Sequence, residues 1–334
     1  LYTLEQITNH IFSGNILENL CQYPDNSIDM IITSPPYYGL RSYETINQIW
    51  DGDPNCQHDW ETFTRKGITG GKKSKKIQIK GQENFQIVVD SEQAFCKKCE
   101  AWLGELGREP SYKLYLEHLY KIFDECARIL KLDGTLWVNL GDSYLNKSLI
   151  GIPDRFKISM IDGGWICRNE IIWHKPNQFP SPIKDRFTVD FEKLFYFSKQ
   201  GKAYFIQQFE PYVLPLNRGK NEFDAKNSTK YGNTNAGKAY RPRLNRPNPK
   251  GKNKRTVWSI NTTSYKGAHF AVFPEKLIET PILAGCPIGG IVLDPFMGSG
   301  TVGVVAKRLE RNWSGIELNP EYAKNAVERI NQQN

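Results

Sequence analysis

The stretch 289–330 constrains the fold most, because it reads as strand, glycine turn, helix, strand and helix. Gly298, Gly300 and Gly303 spell G-x-G-x-x-G directly after the apolar run GIVLDPF, and Glu317 closes the next strand. Glycines in such a turn let a nucleotide approach the backbone, and the acid binds ribose hydroxyls. The stretch therefore predicts an α/β chain with a mostly parallel sheet and a nucleotide-like cofactor at the turn.

Two classes of cofactor fit a glycine turn of this kind. A dinucleotide places its anionic pyrophosphate at the N-terminus of the helix. S-adenosylmethionine (AdoMet) has no phosphate and carries a sulfonium and an amine at its methionine end. Asp294, at the end of the preceding strand, would repel a pyrophosphate and attract a cation. The charge favours AdoMet, and a nicotinamide dinucleotide with oxidoreductase chemistry remains the alternative.

A second unusual segment, DMIITSPPYYGLRSY, ends a buried strand with two prolines. Pro35 and Pro36 remove two backbone donors, and a residue that precedes proline, here Ser34, is kept extended. The carbonyls of Ser34 and Pro35 are then acceptors on a stiff backbone, beside a serine hydroxyl and the ring of Tyr37. An ordinary turn from strand to loop would use the same residues.

The positive charge is concentrated in one irregular segment. The chain has a net charge of +8, and residues 215–256 hold twelve Lys and Arg against two acids, Glu222 and Asp224. A charge placed in this way indicates a polyanionic partner, because neutralising phosphates releases counterions. No apolar stretch approaches the roughly 18–20 residues of a membrane span. A solvated basic loop that binds nothing is the alternative.

Four potential zinc ligands occur in two closely spaced pairs. Cys56-x-His58 and Cys96-x-x-Cys99 flank a lysine-rich run of low hydrophobicity. Three thiolates and one imidazole match a closed, structural tetrahedral zinc site. The seven cysteines at irregular spacing do not suggest a secreted disulfide framework, so we expect a reducing compartment. Unrelated thiols on a loop remain the metal-free alternative.

The pair of segments TSPPY and DPFMGSGT resembles the β class of amino-methylating DNA methyltransferases, which modify N4 of cytosine or N6 of adenine. In that class the catalytic motif precedes the cofactor motif, and the target-recognition region lies between them. Ser34, which gives S-P-P-Y, resembles the subgroup that methylates N4 of cytosine. Related methyltransferases also carry a C-x-H-x-W and C-x-x-C insertion, matched here by Trp60. Methylation of adenine N6 is the nearest rival.

The resemblance implies a doubly wound, Rossmann-like sheet of seven mostly parallel strands, circularly permuted so that the catalytic half comes first. A zinc-binding insertion and an irregular, basic target-recognition region would interrupt it. The implied domains are residues 1–52 with 111–205 for the catalytic half, 53–110 for the zinc-binding insertion, 206–260 for target recognition and 261–334 for the AdoMet-binding half.

The resemblance also assigns a role to each matching residue, with Asn15 standing where the family usually has an aspartate that helps to hold the adenine. The expected catalytic residues are Ser34, Pro35, Pro36 and Tyr37. The expected cofactor-binding residues are Asn15, Phe273, Pro274, Asp294, Phe296, Gly298, Ser299, Gly300, Thr301 and Glu317. The expected DNA-binding residues are Lys175, Asn177, Arg241, Arg243 and Arg246, and the expected zinc ligands are Cys56, His58, Cys96 and Cys99.

The implied reaction is direct displacement, in which a methyl group passes from AdoMet to N4 of a cytosine flipped out of duplex DNA. A restriction endonuclease of the same system would share the target without forming a stable complex, and the methyltransferase itself would be a monomer or homodimer. We expect it in the bacterial cytoplasm at the nucleoid, or in the nucleus of a eukaryotic host. A non-enzymatic, zinc-stapled DNA-binding module is the rival from another class.

Overall fold

The computed structural model describes residues 1–39, 46–66, 88–212, 248–263 and 273–332. The expected DNA-binding residues Arg241, Arg243 and Arg246 lie outside these ranges. The chain divides into two compact units, one made of Leu1–Ile206 with Thr256–Asn334 and a smaller one made of Gln207–Arg255. Within the described ranges, no helix is long and apolar enough to cross a membrane.

Strands and helices alternate near both ends of the described chain, and runs of consecutive strands lie between them. The strands are β1 (His10–Ser13), β2 (Ile28–Thr33), β3 (Gln48–Trp50), β4 (Trp60–Lys66), β5 (Val88–Cys96), β6 (Trp102–Gly104), β7 (Leu130–Leu140), β8 (Tyr144–Leu145), β9 (Ser148–Leu149), β10 (Ile166–His174), β11 (Phe191–Ser198), β12 (Phe209–Glu210), β13 (Lys252–Asn253), β14 (Val257–Ser259), β15 (Ile291–Asp294) and β16 (Asn312–Glu317). The helices are α1 (Leu4–Ile7), α2 (Ile16–Leu20), α3 (Tyr112–Ile129), α4 (Ile152–Asp162), α5 (Glu275–Gly285), α6 (Thr301–Arg308) and α7 (Pro320–Asn331).

The main sheet of the larger unit has the strand order β1-β16-β15-β2-β7-β11-β10-β14. Its neighbours pair in parallel except around β11, which is antiparallel to both β7 and β10. The prediction of a mostly parallel α/β sheet is confirmed. The predicted number of seven strands is one short of the eight seen among the described residues, because the three-residue β14 pairs with the end of β10. So short a strand carries no periodicity of its own.

Side chains of the central strands alternate between two buried clusters, one on each face of the sheet. Ile31 belongs to the cluster that α2, α3 and α4 cover. Its neighbours Met30 and Ile32 belong to the cluster that α5, α6 and α7 cover. Both faces are therefore shielded by helices, which is the arrangement expected for near-continuous apolar strands such as IDMIIT.

The carboxyl ends of the parallel strands lie along one edge of the sheet. β2, β7, β15 and β16 run in parallel, so their carboxyl ends lie together, and β10 also ends there. Because β11 is antiparallel, it begins at this edge, with Leu194 opposite Asn139 of β7. In open α/β sheets, ligands bind outside the carboxyl ends of the strands. This edge is where a site is expected.

The segment inserted after β2 folds as a separate antiparallel sheet in the order β3-β6-β5-β4. Trp60, the first residue of β4, pairs with Cys96, the last residue of β5. The pairing brings the two ends of a long insertion back together. In the smaller unit, β12 and β13 form a short antiparallel pair.

Candidate functional site

A cavity of about 360 Å³ opens at the shared edge of the sheet, between the segment TSPPY and the glycine turn. Its lining combines both ends of the chain. The expected site residues in the lining are Ser34, Pro36, Tyr37, Lys175, Phe273, Asp294, Phe296, Gly298, Ser299, Thr301 and Glu317. Five other expected catalytic, cofactor-binding or DNA-binding residues lie outside the lining: Asn15, Pro35, Asn177, Pro274 and Gly300.

Asp294 ends β15 at the bottom of the cavity and is buried. Its Oδ1 accepts hydrogen bonds from the Thr33 hydroxyl at 2.6 Å and from the Phe296 N–H at 3.0 Å. Burial raises the pKa of Asp294 to about 7, and the charge of nearby Glu317 adds to the rise, while the two hydrogen bonds oppose it. The last residue of β2 is thereby tied to the last residue of β15.

Glu317 ends β16 beside the glycine turn. Its Oε2 accepts from the Gly298 N–H at 2.8 Å, and its Oε1 accepts from the Asn319 N–H at 2.9 Å. Burial raises the pKa of Glu317, although these backbone donors act to lower it. Among the described residues, no Lys or Arg forms an ion pair with Asp294 or Glu317. This end of the cavity therefore holds two acids whose partners are neutral.

The glycine turn itself is packed against helix α7. Gly300 has φ = 78°, and a Cβ at this position would lie 3.0 Å from the Cβ of Ala326, so a side chain here is strained and crowded. Arg329, also on α7, donates from Nη1 to the Ser299 carbonyl at 3.0 Å and to Thr301 Oγ1 at 3.0 Å. Arg329 supports the turn from behind, a contact that sequence patterns do not reveal.

At the other end of the cavity, a chain of hydrogen bonds starts at Ser34. The Ser34 hydroxyl donates to the Tyr37 hydroxyl oxygen at 3.1 Å, and Tyr37 donates to Glu192 Oε2 at 2.8 Å. The same Oε2 accepts from Asn139 Nδ2 at 3.0 Å, and Lys175 Nζ contacts Oε1. Glu192, the second residue of β11, is thus the hub of this end.

The TSPPY segment is also held from behind by the region that follows the insertion. The Tyr115 hydroxyl of α3 donates to the Pro36 carbonyl at 2.7 Å. Gly107 has φ = 89°, and a Cβ there would lie 2.9 Å from the Tyr37 carbonyl oxygen. The Gly39 N–H donates to the Gly107 carbonyl at 2.8 Å. The turn after β2 therefore rests on a close backbone contact that only glycine admits.

Two expected site residues have local structural partners. Asn15 caps α2, and its Oδ1 accepts from the N–H groups of Leu17 at 2.8 Å and Glu18 at 3.2 Å. This oxygen is therefore engaged, and the cavity is lined by Gly14 and Ile16 instead. Asn177 Oδ1 accepts from the Thr262 N–H at 2.9 Å and joins two loops. Neither contact tests the expected role.

Sequence reasoning did not single out Glu192, Asn139 or Arg329. Glu192 is one charged residue in the strand FEKLFYFS, where it reads as an ordinary polar position. Only the antiparallel pairing of β11 with β7 and β10 brings it to the cavity. Lys175 is an expected DNA contact, and its Nζ also lies 4.4 Å from the centre of the Trp173 ring.

The four expected zinc ligands come together in the inserted sheet. Their donor atoms all lie within 4.8 Å of one another. Cys56 Sγ is 3.8 Å from Cys96 Sγ, and Cys99 Sγ is 3.4 Å from His58 Nδ1. A tetrahedral zinc with Zn–S bonds of about 2.3 Å separates its sulfurs by about 3.8 Å. The donor set and its spacing fit one tetrahedral ion.

A family model described as DNA methylase, named for N6 and N4 methyltransferases, matches residues 28–328. The type II methyltransferase M.Cfr9I of Citrobacter freundii is 32% identical over 96% of this chain and 87% of its own length. The type II methyltransferase M.SmaI of Serratia marcescens is 36% identical over 79% of this chain and 90% of its own length.

Solved structures share the fold across nearly the whole chain. The PvuII DNA methyltransferase (cytosine-N4-specific) superposes with a TM-score of 0.57 at 20% identity, over 96% of this chain and 89% of that one. A putative DNA modification methylase from Thermus thermophilus, complexed with S-adenosyl-L-methionine, gives a TM-score of 0.52 at 19% identity, over 97% and 95% of the two chains.

Proposed function

Since this chain belongs to the N6/N4 DNA methylase family, we propose that it transfers a methyl group from AdoMet to N4 of a flipped-out cytosine in DNA. The observation that carries the proposal is the shared cavity, in which TSPPY and the glycine turn face one another. The 2.6 Å hydrogen bond between Thr33 and Asp294 joins the two segments directly. A methyl donor at one end can therefore meet an amine at the other.

One end of the cavity, the cofactor end, holds Asp294 and Glu317. It suits AdoMet better than a dinucleotide. Asp294 and Glu317 have neutral partners and raised pKa values, so a cation placed near them would be stabilised and a pyrophosphate repelled. Asp294 and Thr301 would face the methionine end, and Glu317 the ribose. AdoMet supplies an electrophilic methyl group on a sulfonium, and the residues of this chain position it.

The remaining cofactor contacts follow from the lining of the cavity. Phe296, Gly298 and Ser299 line it directly, and Phe273 closes it from the loop before α5. Gly300 and Pro274 would support these neighbours. Because Asn15 Oδ1 already accepts two hydrogen bonds at the cap of α2, it would be a weaker acceptor for the adenine than the aspartate usual in the family.

The other end of the cavity, the reacting end, holds Ser34, Tyr37 and Glu192. It suits a neutral exocyclic amine. The lone pair of such an amine is delocalised into the base, which makes it a poor nucleophile. Acceptors on its hydrogens, the Ser34 hydroxyl oxygen and the Pro35 carbonyl, would localise the lone pair toward the methyl group as positive charge develops on nitrogen. Pro36 adds rigidity, and stacking on Tyr37, worth roughly 1–3 kcal/mol, would offset much of the cost of flipping the base.

The test is mass spectrometry of nucleosides from unmethylated plasmid DNA incubated with the protein and methyl-deuterated AdoMet. We expect labelled N4-methylcytosine. Labelled N6-methyladenine would keep the cavity chemistry and overturn the choice of base. An absence of label on either base, in plasmids of varied sequence, would contradict the proposed reaction.

We also propose that Cys56, His58, Cys96 and Cys99 hold one structural zinc ion. Three sulfurs and one nitrogen at tetrahedral spacing support the assignment. Elemental analysis should give one zinc per chain, and a chelator should lower the melting temperature. The Cys96→Ser variant should lose the metal, whereas the matched control Cys167→Ser, whose thiol lies outside the cluster, should keep it. One zinc per chain in Cys96→Ser would contradict the assignment.

Duplex DNA is the proposed partner, within a type II restriction–modification system that also contains an endonuclease of the same specificity. Lys175 and Asn177 stand at the start of the loop that leaves β10 near the cavity. Lys175 Nζ has three N–H donors, so it could contact DNA while it keeps its contact with Glu192. The proposed DNA contact of Asn177 would follow release of Thr262. The arginines proposed for target recognition remain predictions from sequence.

A further inference from the structure

We propose that Glu192 is a positioning residue that fixes the direction of the hydrogen bonds at the reacting end, so that Ser34 Oγ meets the target amine only as an acceptor. The inference rests on the proposed function and deepens it. Its basis is the continuous chain from Ser34 to Tyr37 to Glu192, with separations of 3.1 Å and 2.8 Å.

Glu192 can only accept. Its carboxylate contacts the ammonium of Lys175, which has donors and no lone pair, and their side chains are only 17% and 13% exposed. In this pairing both carboxylate oxygens face donors and act as acceptors. Any hydroxyl or amide in contact with Glu192 must therefore point a hydrogen at it.

Tyr37 transmits this direction to Ser34. Its single hydroxyl hydrogen is directed to Glu192 Oε2, so its oxygen faces Ser34 with a lone pair. The Ser34 hydroxyl then directs its own hydrogen to Tyr37. What remains on Ser34 Oγ is lone-pair density, which is what an N–H of the target amine requires. A hydroxyl turned the other way would bind the nitrogen lone pair and oppose its attack.

Asn139 also directs a donor at the carboxylate of Glu192. Its Nδ2 is 3.0 Å from Glu192 Oε2 and 3.3 Å from the Lys193 carbonyl, two acceptors that fix the orientation of the amide. In the described part of the chain, its Oδ1 is buried without a hydrogen-bond partner. A buried acceptor is costly to leave unpaired, so the orientation is imposed by the two acceptors around Nδ2, of which Glu192 Oε2 is the nearer.

The Glu192→Gln variant tests the inference, because glutamine has one acceptor oxygen for three donors and brings an NH₂ of its own. We expect the single-turnover rate of DNA methylation to fall about 10- to 100-fold, less than the 10²–10³-fold cost of removing a direct contact to the reacting group. The KM values for AdoMet and plasmid DNA should stay within about threefold, since the carboxylate acts through Ser34. Glu170→Gln is the matched control, because Glu170 also pairs with lysines, Lys157 and Lys193.

A double-mutant cycle with Tyr37→Phe separates this role from a structural one. Phenylalanine keeps the stacking ring and breaks the chain at its middle link. Glu192→Gln should therefore cost little further rate in the Tyr37→Phe background. Wild-type rate in Glu192→Gln, or losses that simply add, would overturn the inference. If the wild-type protein labels no DNA, the proposed function fails instead.

Discussion

The two ends of the cavity both contain acids, but they balance the charge differently. At the cofactor end, Asp294 and Glu317 are held by a hydroxyl and by backbone N–H groups, all neutral. At the reacting end, Glu192 is paired with the cation of Lys175. Among the described residues, the acids of the first end have no ion-pair partner, whereas the acid of the second end has one. A cationic cofactor suits the first end, and a neutral base suits the second.

The largest loss of activity should come from Ser34→Ala at the reacting end. Loss of the acceptor on the amine should lower the methylation rate about 10²–10³-fold, as for other groups that stabilise developing charge. AdoMet binding should be unchanged, because the cofactor end is intact. Single-turnover kinetics and an AdoMet titration measure the two effects. A matching loss of AdoMet affinity would contradict the division of roles.

Asp294→Asn should weaken AdoMet binding at the cofactor end. The substitution keeps the shape and removes the negative charge, and a hydrogen bond to a charged group contributes about 1.5–3 kcal/mol, or roughly 10- to 150-fold in affinity. We expect weaker AdoMet binding by calorimetry and a nearly normal rate at saturation. Asp29→Asn is the control, because Asp29 is ion-paired with Lys131 at the opposite edge of the sheet. Equal losses in both variants would contradict the assignment.

The same carboxyl should make stability depend on pH. The pKa of Asp294 is about 7 in the folded protein, against about 3.9 in an unfolded chain. The folded state thus holds more protons between these values, so the free energy of unfolding should fall as pH rises from about 4 to 7. Denaturant titrations of wild type and Asp294→Asn isolate this component. A difference between the two proteins that does not change across this window would contradict the raised pKa.

The smallest effect should come from Asn15→Asp. A carboxylate can cap α2 with one oxygen and offer the other to the adenine, so we expect AdoMet to bind about two- to fivefold more tightly. The helix should gain about 0.3–1 kcal/mol from an anion at its N-terminus. Asn15→Ala, which loses the cap, should cost about 1 kcal/mol. Weaker AdoMet binding by Asn15→Asp would exclude a contact between this residue and the adenine.

The sequence predicted local features of the fold well and long-range contacts poorly. The alternation of strand, glycine turn, helix and strand around Gly298 depends on residues near one another in the chain. The clustering of Cys56 with Cys96 could be predicted because paired spacings indicate a ligand set. The role of Glu192 could not, because it depends on which strands pair. The hydrogen bonds of Asn15 Oδ1 depend on the residue at which α2 begins. An Asn before an apolar run indicates a helix start there but does not fix it.

The charge difference between the two ends is tested most directly by calorimetry of AdoMet binding at pH 7 in two buffers of different ionisation enthalpy. A cation bound near Asp294 should displace its proton, which is present in about half of the molecules when the pKa is about 7. We expect the wild-type protein to release up to about half a proton more per AdoMet than Asp294→Asn. Equal proton release by the two proteins would contradict the claim that the AdoMet cation binds beside Asp294 and displaces its proton.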